Sequence, residues 1–348
     1  MGVSISVIVP VYNSRELLRH CLESIHSSTV KPDEIIVVDD GSNDGSPHVA
    51  RALGARVLYT GTRAAGPAVA RNIGAANAWG DILFFTDADC LLHPDTLDRV
   101  KTLFEREDSP DAVIGSYDLR PLASNYLSQY RNLLHAYVHQ TSSEDAHTFW
   151  GGCGAIRKSR FVELNGFDTR LYKRPSIEDI ELGYRLKASG GHILLDKDML
   201  VTHCKRWAPV NLVRTDVRDR GIPWMRLILR SNSAKSDLNL KLRDRISVVL
   251  IYLMMLGLVG MFLSPVIALV SSGMALAMFW FHLDLYRYFR KHGSLWFVIY
   301  CMFWHWLYYF FNGISFLIGI GLHFRDMISG ELEQFPIPES HSTAEHLN

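Results

Sequence analysis

The sequence predicts an α/β domain built on a mixed, mainly parallel sheet, followed by interfacial helices and a C-terminal transmembrane helical region. Apolar, β-branched runs alternate with helically spaced segments through the first 90 residues. Each run stops on polar or acidic residues, and beyond residue 246 the chain becomes dense in Leu, Met, Phe, Trp and Tyr.

Residues 4–11 form the first strand, and Leu17, Leu18, Cys21, Leu22 and Ile25 carry helical spacing across 14–27. EIIVVDD (34–40) is a second buried strand, followed by the turn GSNDGS and a helix to about 53; ARVLYT (55–60) is a third strand. AAGPAVARNIGAANAWG (64–80) leads from a loop into a helix, and DILFFTDAD (81–89) is a fourth strand. Strands and helices alternating at this spacing imply parallel pairing with both faces covered. Less regular chain follows, with a strand at 111–118, a helix over 123–140, a glycine-rich stretch at 151–154 and a helix from about 178.

The expected organisation is a catalytic domain over 1–205, an amphipathic interfacial segment over 206–245, a membrane region over 246–322 and a polar tail over 323–348. The run 246–281 carries no formal charge. It exceeds the roughly 20 residues one crossing needs and breaks at Ser264-Pro265. Spans at 246–263, 266–281 and 295–322 follow, with Arg243, Arg245, Arg287, Arg290 and Lys291 placing their flanks and the catalytic domain on the cytoplasmic side. A multi-pass protein is expected, of the inner or plasma membrane if the source is bacterial. Lys+Arg and Asp+Glu each total 36, so no global field recruits nucleic acid. The five cysteines are scattered, which fits free thiols rather than a disulfide framework or a zinc site.

Ligands of open α/β sheets sit beyond the carboxyl ends of the strands. Tyr12-Asn13, Asp39-Asp40 and Asp87-Ala88-Asp89 all fall there. Two aspartates one residue apart at a strand end make a hard-oxygen site suited to Mg²⁺ or Mn²⁺ bridging a diphosphate.

VIVPVYN, EIIVVDDGSNDGS, GPAVARNIGA and ILFFTDAD, in this order and spacing, resemble the family 2 glycosyltransferases of GT-A fold over about residues 4–207. The resemblance implies that Pro10 and Tyr12 edge the nucleoside pocket, Asp40 accepts from the base, Asp39 supports the nucleotide or its loop, and Arg71 contacts the nucleotide. Asp87 and Asp89 would hold the metal and diphosphate, and His203 in VTHCKRW would complete the metal site. FWGGCGAIRKSRFVELNGFDT (149–169) resembles the acceptor-side glycine loop, with Gly151, Gly152 and Gly154 admitting a sugar. IEDIELGYRLKASG (177–190) places Asp179 as the base that deprotonates an acceptor hydroxyl and Glu178 in the acceptor site, with Arg206 and Trp207 beside the acceptor. Asp44 reads as a turn former beside Gly45.

The implied reaction is inverting transfer from a nucleotide sugar, UDP-sugar favoured, to a hydroxyl of a membrane-associated glycan or glycolipid. A polyprenyl-phosphate acceptor is the alternative; being already ionised it needs no base, so Glu178-Asp179 favours a hydroxyl. Sugar-phosphate nucleotidyltransferases would carry a Gly-rich Arg-Leu loop where VIVPVYNSRELL stands. A catalytically dead membrane scaffold would have lost the Asp-x-Asp or the Glu-Asp pair. His203 stands where processive synthases carry Gln in a Gln-x-x-Arg-Trp motif, which argues against processivity.

Overall fold

The computed structural model describes residues 2–231, 242–260, 262 and 264–330. Residues 232–241 of the expected interfacial segment, 261 and 263 of the first expected span, and most of the expected tail, 331–348, lie outside the described residues. The chain divides into two compact units, one comprising 1–115 and 144–201, the other 116–143 and 202–333.

The first unit begins with β1 (Ile5–Val11), α1 (Arg15–His26), β2 (Glu34–Asp39), α2 (Ser46–Ala52), β3 (Arg56–Tyr59), α3 (Pro67–Asn77) and β4 (Ile82–Thr86). It continues with β5 (Cys90–Leu92), α4 (Thr96–Phe104), β6 (Ala112–Tyr117), β7 (Asp145–Ala146), β8 (Cys153–Arg157), α6 (Lys158–Glu163), α7 (Glu178–Ala188) and β9 (Ile193–His203). The sheet runs β3-β2-β1-β4-β8-β6-β9-β5, with β7 on β9. β1 is parallel to both neighbours, Val7 standing opposite Ile35 and Phe84. The sheet turns antiparallel at β4–β8, where Thr86 faces Cys153 and Phe85 faces Gly154. The glycine-rich stretch therefore runs from a turn into a sheet strand, and the sheet is mixed.

Ile5 and Val7–Val9 are all buried because the sheet is covered on both faces, which is why β1 reads as a continuous apolar run. At Gly74, α3 approaches β1 so closely that a Cβ would stand 2.5 Å from Ile8 Cγ2. Phe85, Phe161 and Phe167 form an aromatic triangle with centroids 5.3–5.4 Å apart, and Phe149 meets Phe85 edge-on at 6.2 Å. Beside it, Arg185 Nε donates to Glu181 Oε1 at 2.6 Å, and its terminal nitrogens donate to the carbonyls of Leu164 and Gly166. One buried ion pair thus ties α7 to the turn at Asn165-Gly166, whose positive φ angles (59° and 67°) need those carbonyls held.

In the second unit, α5 (Tyr126–Gln140), α8 (Pro209–Arg214) and α9 (Ile222–Ser231) precede α10 (Leu242–Gly260), α11 (Pro265–Phe281), α12 (Leu283–His292) and α13 (Leu295–Ser329). A π-helical segment, Thr215–Gly221, joins α8 to α9. Ser264 caps α11, its hydroxyl accepting from Val266 N at 3.3 Å, so the break at Ser264-Pro265 is where the sequence places it. α12 is bent by 60° from α11. Among the described residues α13, at 35 residues, is the one helix long and apolar enough by itself to cross a membrane. It runs past the expected end at 322 to Ser329, because Asp326 is buried in an ion pair with Arg226 and Arg325. α10 opens on Arg243, Asp244 and Arg245, which leaves an apolar stretch, 246–260, shorter than the roughly 20 residues of a full crossing.

Replacing Arg185 with Met strands Glu181, 1% exposed, as a buried charge. Breaking such a pair costs about 3–5 kcal/mol, and the melting temperature should fall by roughly 10 °C. A scan of Arg185→Met beside the parent protein checks this, and an unchanged midpoint would refute it.

Candidate active site

The three polar clusters converge at the carboxyl ends of β1, β2 and β4. Asn13, at φ 49°, accepts from Asn43 N at 2.9 Å, and its own N–H donates to Ser42 Oγ at 2.9 Å. Asp39 accepts from Gly41 N and Ser42 N, holding the turn that follows β2. Asp44 accepts from Arg15 N at 2.8 Å and Ser46 N at 3.0 Å, so it is the turn former that the sequence indicates. Partial burial of its carboxyl raises the pKa, but these bonds and the Ser46 hydroxyl outweigh it and leave Asp44 below the ordinary carboxylate range.

Asp40 organises the neighbouring loop. Its Oδ1 accepts from Thr60 Oγ1 at 2.8 Å and Ala65 N at 2.7 Å, and its Oδ2 from Gly66 N at 2.8 Å. Gly66 has φ +100°, and a Cβ there would press on the Lys173 carbonyl at 3.1 Å. Tyr12 is 41% exposed, with its hydroxyl accepting from Arg63 Nε at 3.2 Å, and Pro10 is half-buried at the end of β1.

Arg71, on α3, is the hub. It is buried, and it donates from Nη2 to Asp87 Oδ1 at 2.6 Å and from Nη1 to Glu178 Oε1 at 2.9 Å. Its guanidinium carbon lies 5.7 Å from the Phe167 ring centroid. Burial alone would lower its pKa, but the Asp87, Glu178 and Asp179 carboxylates outweigh that and hold the charge firmly on. Glu178 is pushed up by burial, against the pull of Arg71 and with the push of Asp179. Gly151 permits this hub, since a Cβ there would sit 3.1 Å from the guanidinium carbon.

Asp179 lies in the first turn of α7, half-buried. Its Oδ2 accepts from Gly151 N at 3.0 Å and its Oδ1 from Ile180 N at 2.8 Å, so two backbone donors orient the carboxylate. Gly152 is buried, with its carbonyl accepting from Thr86 Oγ1 at 3.1 Å. Cβ atoms at Gly152 and Gly154 would strike the Trp150 indole at 2.9 Å and the Trp150 carbonyl at 2.3 Å, so both glycines serve close packing in the loop.

Asp87, Asp89 and Cys90 bring one possible ligand atom each within 4.8 Å of one another. Burial, with Asp89 and Asp87 beside it, pushes the Cys90 thiol well above its ordinary pKa. A pair of partly exposed carboxylates fits a hard divalent cation that keeps positions open for a diphosphate. His203, Arg206 and Trp207 fall in the second unit. There His203 is buried with its ring stacked on Tyr117 at 4.4 Å, Arg206 is exposed, and Trp207 packs into the helical core with Lys205 Nζ 4.2 Å from its ring centroid.

The sequence reading missed Asn72, which donates to the Phe167 carbonyl at 2.8 Å and accepts from Phe167 N at 2.9 Å. The signal was its place beside Arg71 in ARNIG: a partly buried helical Asn satisfies its primary amide most readily on a backbone partner, here in the chain that follows α6.

Residues 6–164 match the family model "Glycosyl transferase family 2"; that stretch of the chain is similar to the family, and the first unit has a GT-A-like fold. The chain is 40% identical over 181 residues to glycosyltransferase GlyA of Streptococcus pneumoniae, which covers 47% of this chain and 26% of that one. It is 34% identical over 122 residues to GlyG of the same organism, covering 34% and 40%. It therefore spans less than half the length of these relatives. A mannosyltransferase of Pyrobaculum calidifontis, solved with GDP-Man and Mn²⁺, shares the fold with a TM-score of 0.54 at 19% identity, covering 91% of this chain and 88% of that one.

Arg71→Met should leave Glu178 as an unpaired buried charge, lowering the melting temperature and cutting transfer by at least 100-fold. Adding Glu178→Gln should restore most of the stability without restoring transfer. A double-mutant cycle on melting temperature reads the coupling directly; additive losses would show that the two side chains act independently.

Proposed function

We propose that the chain transfers a sugar, with inversion, from a nucleotide sugar to a hydroxyl of a membrane-associated glycan or glycolipid, in a reaction dependent on a divalent cation. The observation that supports this best is the line Asp89–Asp87–Arg71–Glu178/Asp179, which joins a hard-cation site to a carboxylate at a helix start. In this reading the loop held by Asp40 and the exposed Tyr12 face the base, UDP being favoured. Asp87 and Asp89 hold Mn²⁺ or Mg²⁺, which when bound neutralises charge on the leaving diphosphate. Arg71 keeps Asp87 oriented and adds positive charge behind it.

Asp179 then takes the proton of the acceptor hydroxyl as that oxygen attacks the anomeric carbon from the face opposite the leaving nucleotide. Gly151 N and Ile180 N each hold one oxygen of that carboxylate, and a second lone pair on either takes the proton. His203 as a further metal ligand, and Gly152, Glu178, Arg206 and Trp207 on the acceptor side, belong to this proposal. So does membrane attachment through α13 and the α10–α11 hairpin, with the catalytic unit on the cytoplasmic face.

Nucleotide release from a panel of UDP-, GDP- and dTDP-sugars, with purified full-length protein and membrane-lipid extract as acceptor, tests the activity. Donor binding by calorimetry should vanish in EDTA and return with Mn²⁺ or Mg²⁺; equal affinity without metal would overturn the cation requirement. Asp179→Asn should lose about 10²–10⁴-fold in transfer while donor affinity stays within twofold. Transfer within a few-fold of the parent would move the base elsewhere or point to an ionised polyprenyl-phosphate acceptor. A metal titration of His203→Ala that matched the parent would remove that residue from the ligand set.

A further inference from the structure

In the glycine loop before β8, the adjacent aromatics Phe149 and Trp150 have different surroundings. Phe149 is fully buried and meets Phe85 edge-on, whereas Trp150 packs at the margin of the same core and stays partly exposed. α3 and α7 cover that face of the sheet, contributing Ala68, Ala70, Leu182 and Leu186 to the core. Trp150 therefore lies on the side from which these two helices bring Arg71 and Asp179 to the site.

Its position is fixed by the two glycines that follow. Gly151 N donates to Asp179 Oδ2 at 3.0 Å, so Trp150 is the residue next to the one that holds the proposed base. Gly152 supports the ring: a Cβ there would stand 2.9 Å from each of Nε1, Cε2 and Cζ2. Three neighbouring ring atoms at one distance put that point above the ring plane, so the Gly152 backbone lies under a face of the indole. Gly152 is itself buried, with its carbonyl accepting from Thr86 Oγ1 at 3.1 Å. The next residue, Cys153, stands opposite Thr86 at the strand end that leads to Asp87. The indole is thus backed by fixed backbone between the hold on Asp179 and the approach to Asp87.

A partly exposed indole held rigidly beside a proton acceptor suits a sugar ring. The C–H bonds on one face of a pyranose make an apolar patch that packs on the indole, while the hydroxyls at its rim remain for polar partners. With two χ angles and one face already backed, the side chain gives up little conformational entropy when a ligand covers its exposed surface. We infer that Trp150 is the platform on which the acceptor's pyranose ring stacks, bringing a rim hydroxyl to Asp179. That role rests on the proposed transfer to a sugar hydroxyl, to which it adds the residue that orients the ring.

The probes are the methyl glycosides of glucose, galactose, mannose and N-acetylglucosamine, added with UDP and Mn²⁺ to full-length protein carrying fluorotryptophan. The fluorine resonance that is missing from Trp150→Phe belongs to Trp150, and it should shift on titration with at least one of these glycosides. Saturation-transfer NMR then reads that glycoside's affinity in the variants. Trp150→Leu, which keeps apolar volume without an aromatic face, should weaken it roughly tenfold. Trp150→Phe, the conservative change, should lose less and keep the parent's melting temperature.

An unmoved Trp150 resonance with every glycoside overturns the platform. So does a loss in Trp150→Leu that falls on the affinity for UDP-sugars relative to UDP, because the ring on the indole would then be the donor's. A fall in melting temperature in both variants with glycoside affinity kept returns Trp150 to packing alone. Nucleotide release with membrane-lipid extract separates this from the proposed reaction: transfer with an unmoved resonance strikes the platform alone, and a shifted resonance without transfer strikes the reaction and leaves sugar binding in place.

Discussion

The buried guanidinium of Arg71 is the interaction on which the catalytic unit depends. It meets both Asp87, from the end of β4, and Glu178, from the start of α7. Burying Arg71 and Glu178 together is unfavourable unless each charge is matched, and Glu178 is held by Arg71 and by Ser176 N. Asp87 and Asp89, by contrast, are partly exposed, and a pair of carboxylates so placed suits a hard divalent cation.

The same hub explains why distant glycines are where they are. Gly151 gives way to the guanidinium, Gly74 brings α3 down onto β1 so that Arg71 reaches the strand ends, and Gly183 lets α7 lie against the Thr148–Phe149 backbone, 2.2 Å from where a Cβ would be. Phe167 lies beside the guanidinium, held by Asn72 from the residue next to Arg71. The ARN sequence thus does two jobs in adjacent positions: one side chain carries charge into the site and the next fixes the wall beside it.

Much of this was legible in the sequence because strand ends and acidic residues coincide there in a one-dimensional pattern. Asp39, Asp40, Asp87 and Asp89 follow apolar runs directly, and a parallel sheet brings such ends together whatever the helices between them do. The antiparallel half was harder to read. β5 has three residues and β8 begins inside a glycine stretch, so neither shows the period that identifies a strand. The pairing of Arg71 with Glu178, 107 residues apart, has no local signature at all. In the helical unit, composition located the apolar chain and its break at Ser264-Pro265. The continuation of α13 past 322 to Ser329 was not legible, because it carries Asp326, whose partner Arg226 lies 100 residues away.

The helical unit follows a different rule from the catalytic one. Its polar groups are not gathered at strand ends but are spread through an otherwise apolar packing, and several are held by a neighbour: Tyr309 donates to Asp244 at 2.7 Å, Tyr252 to the Phe310 carbonyl at 2.8 Å, and Trp306 to Tyr286 at 3.1 Å. Each such bond offsets the cost of burying a polar group among apolar side chains, so these residues tie neighbouring helices together where hydrophobic packing alone leaves their register open.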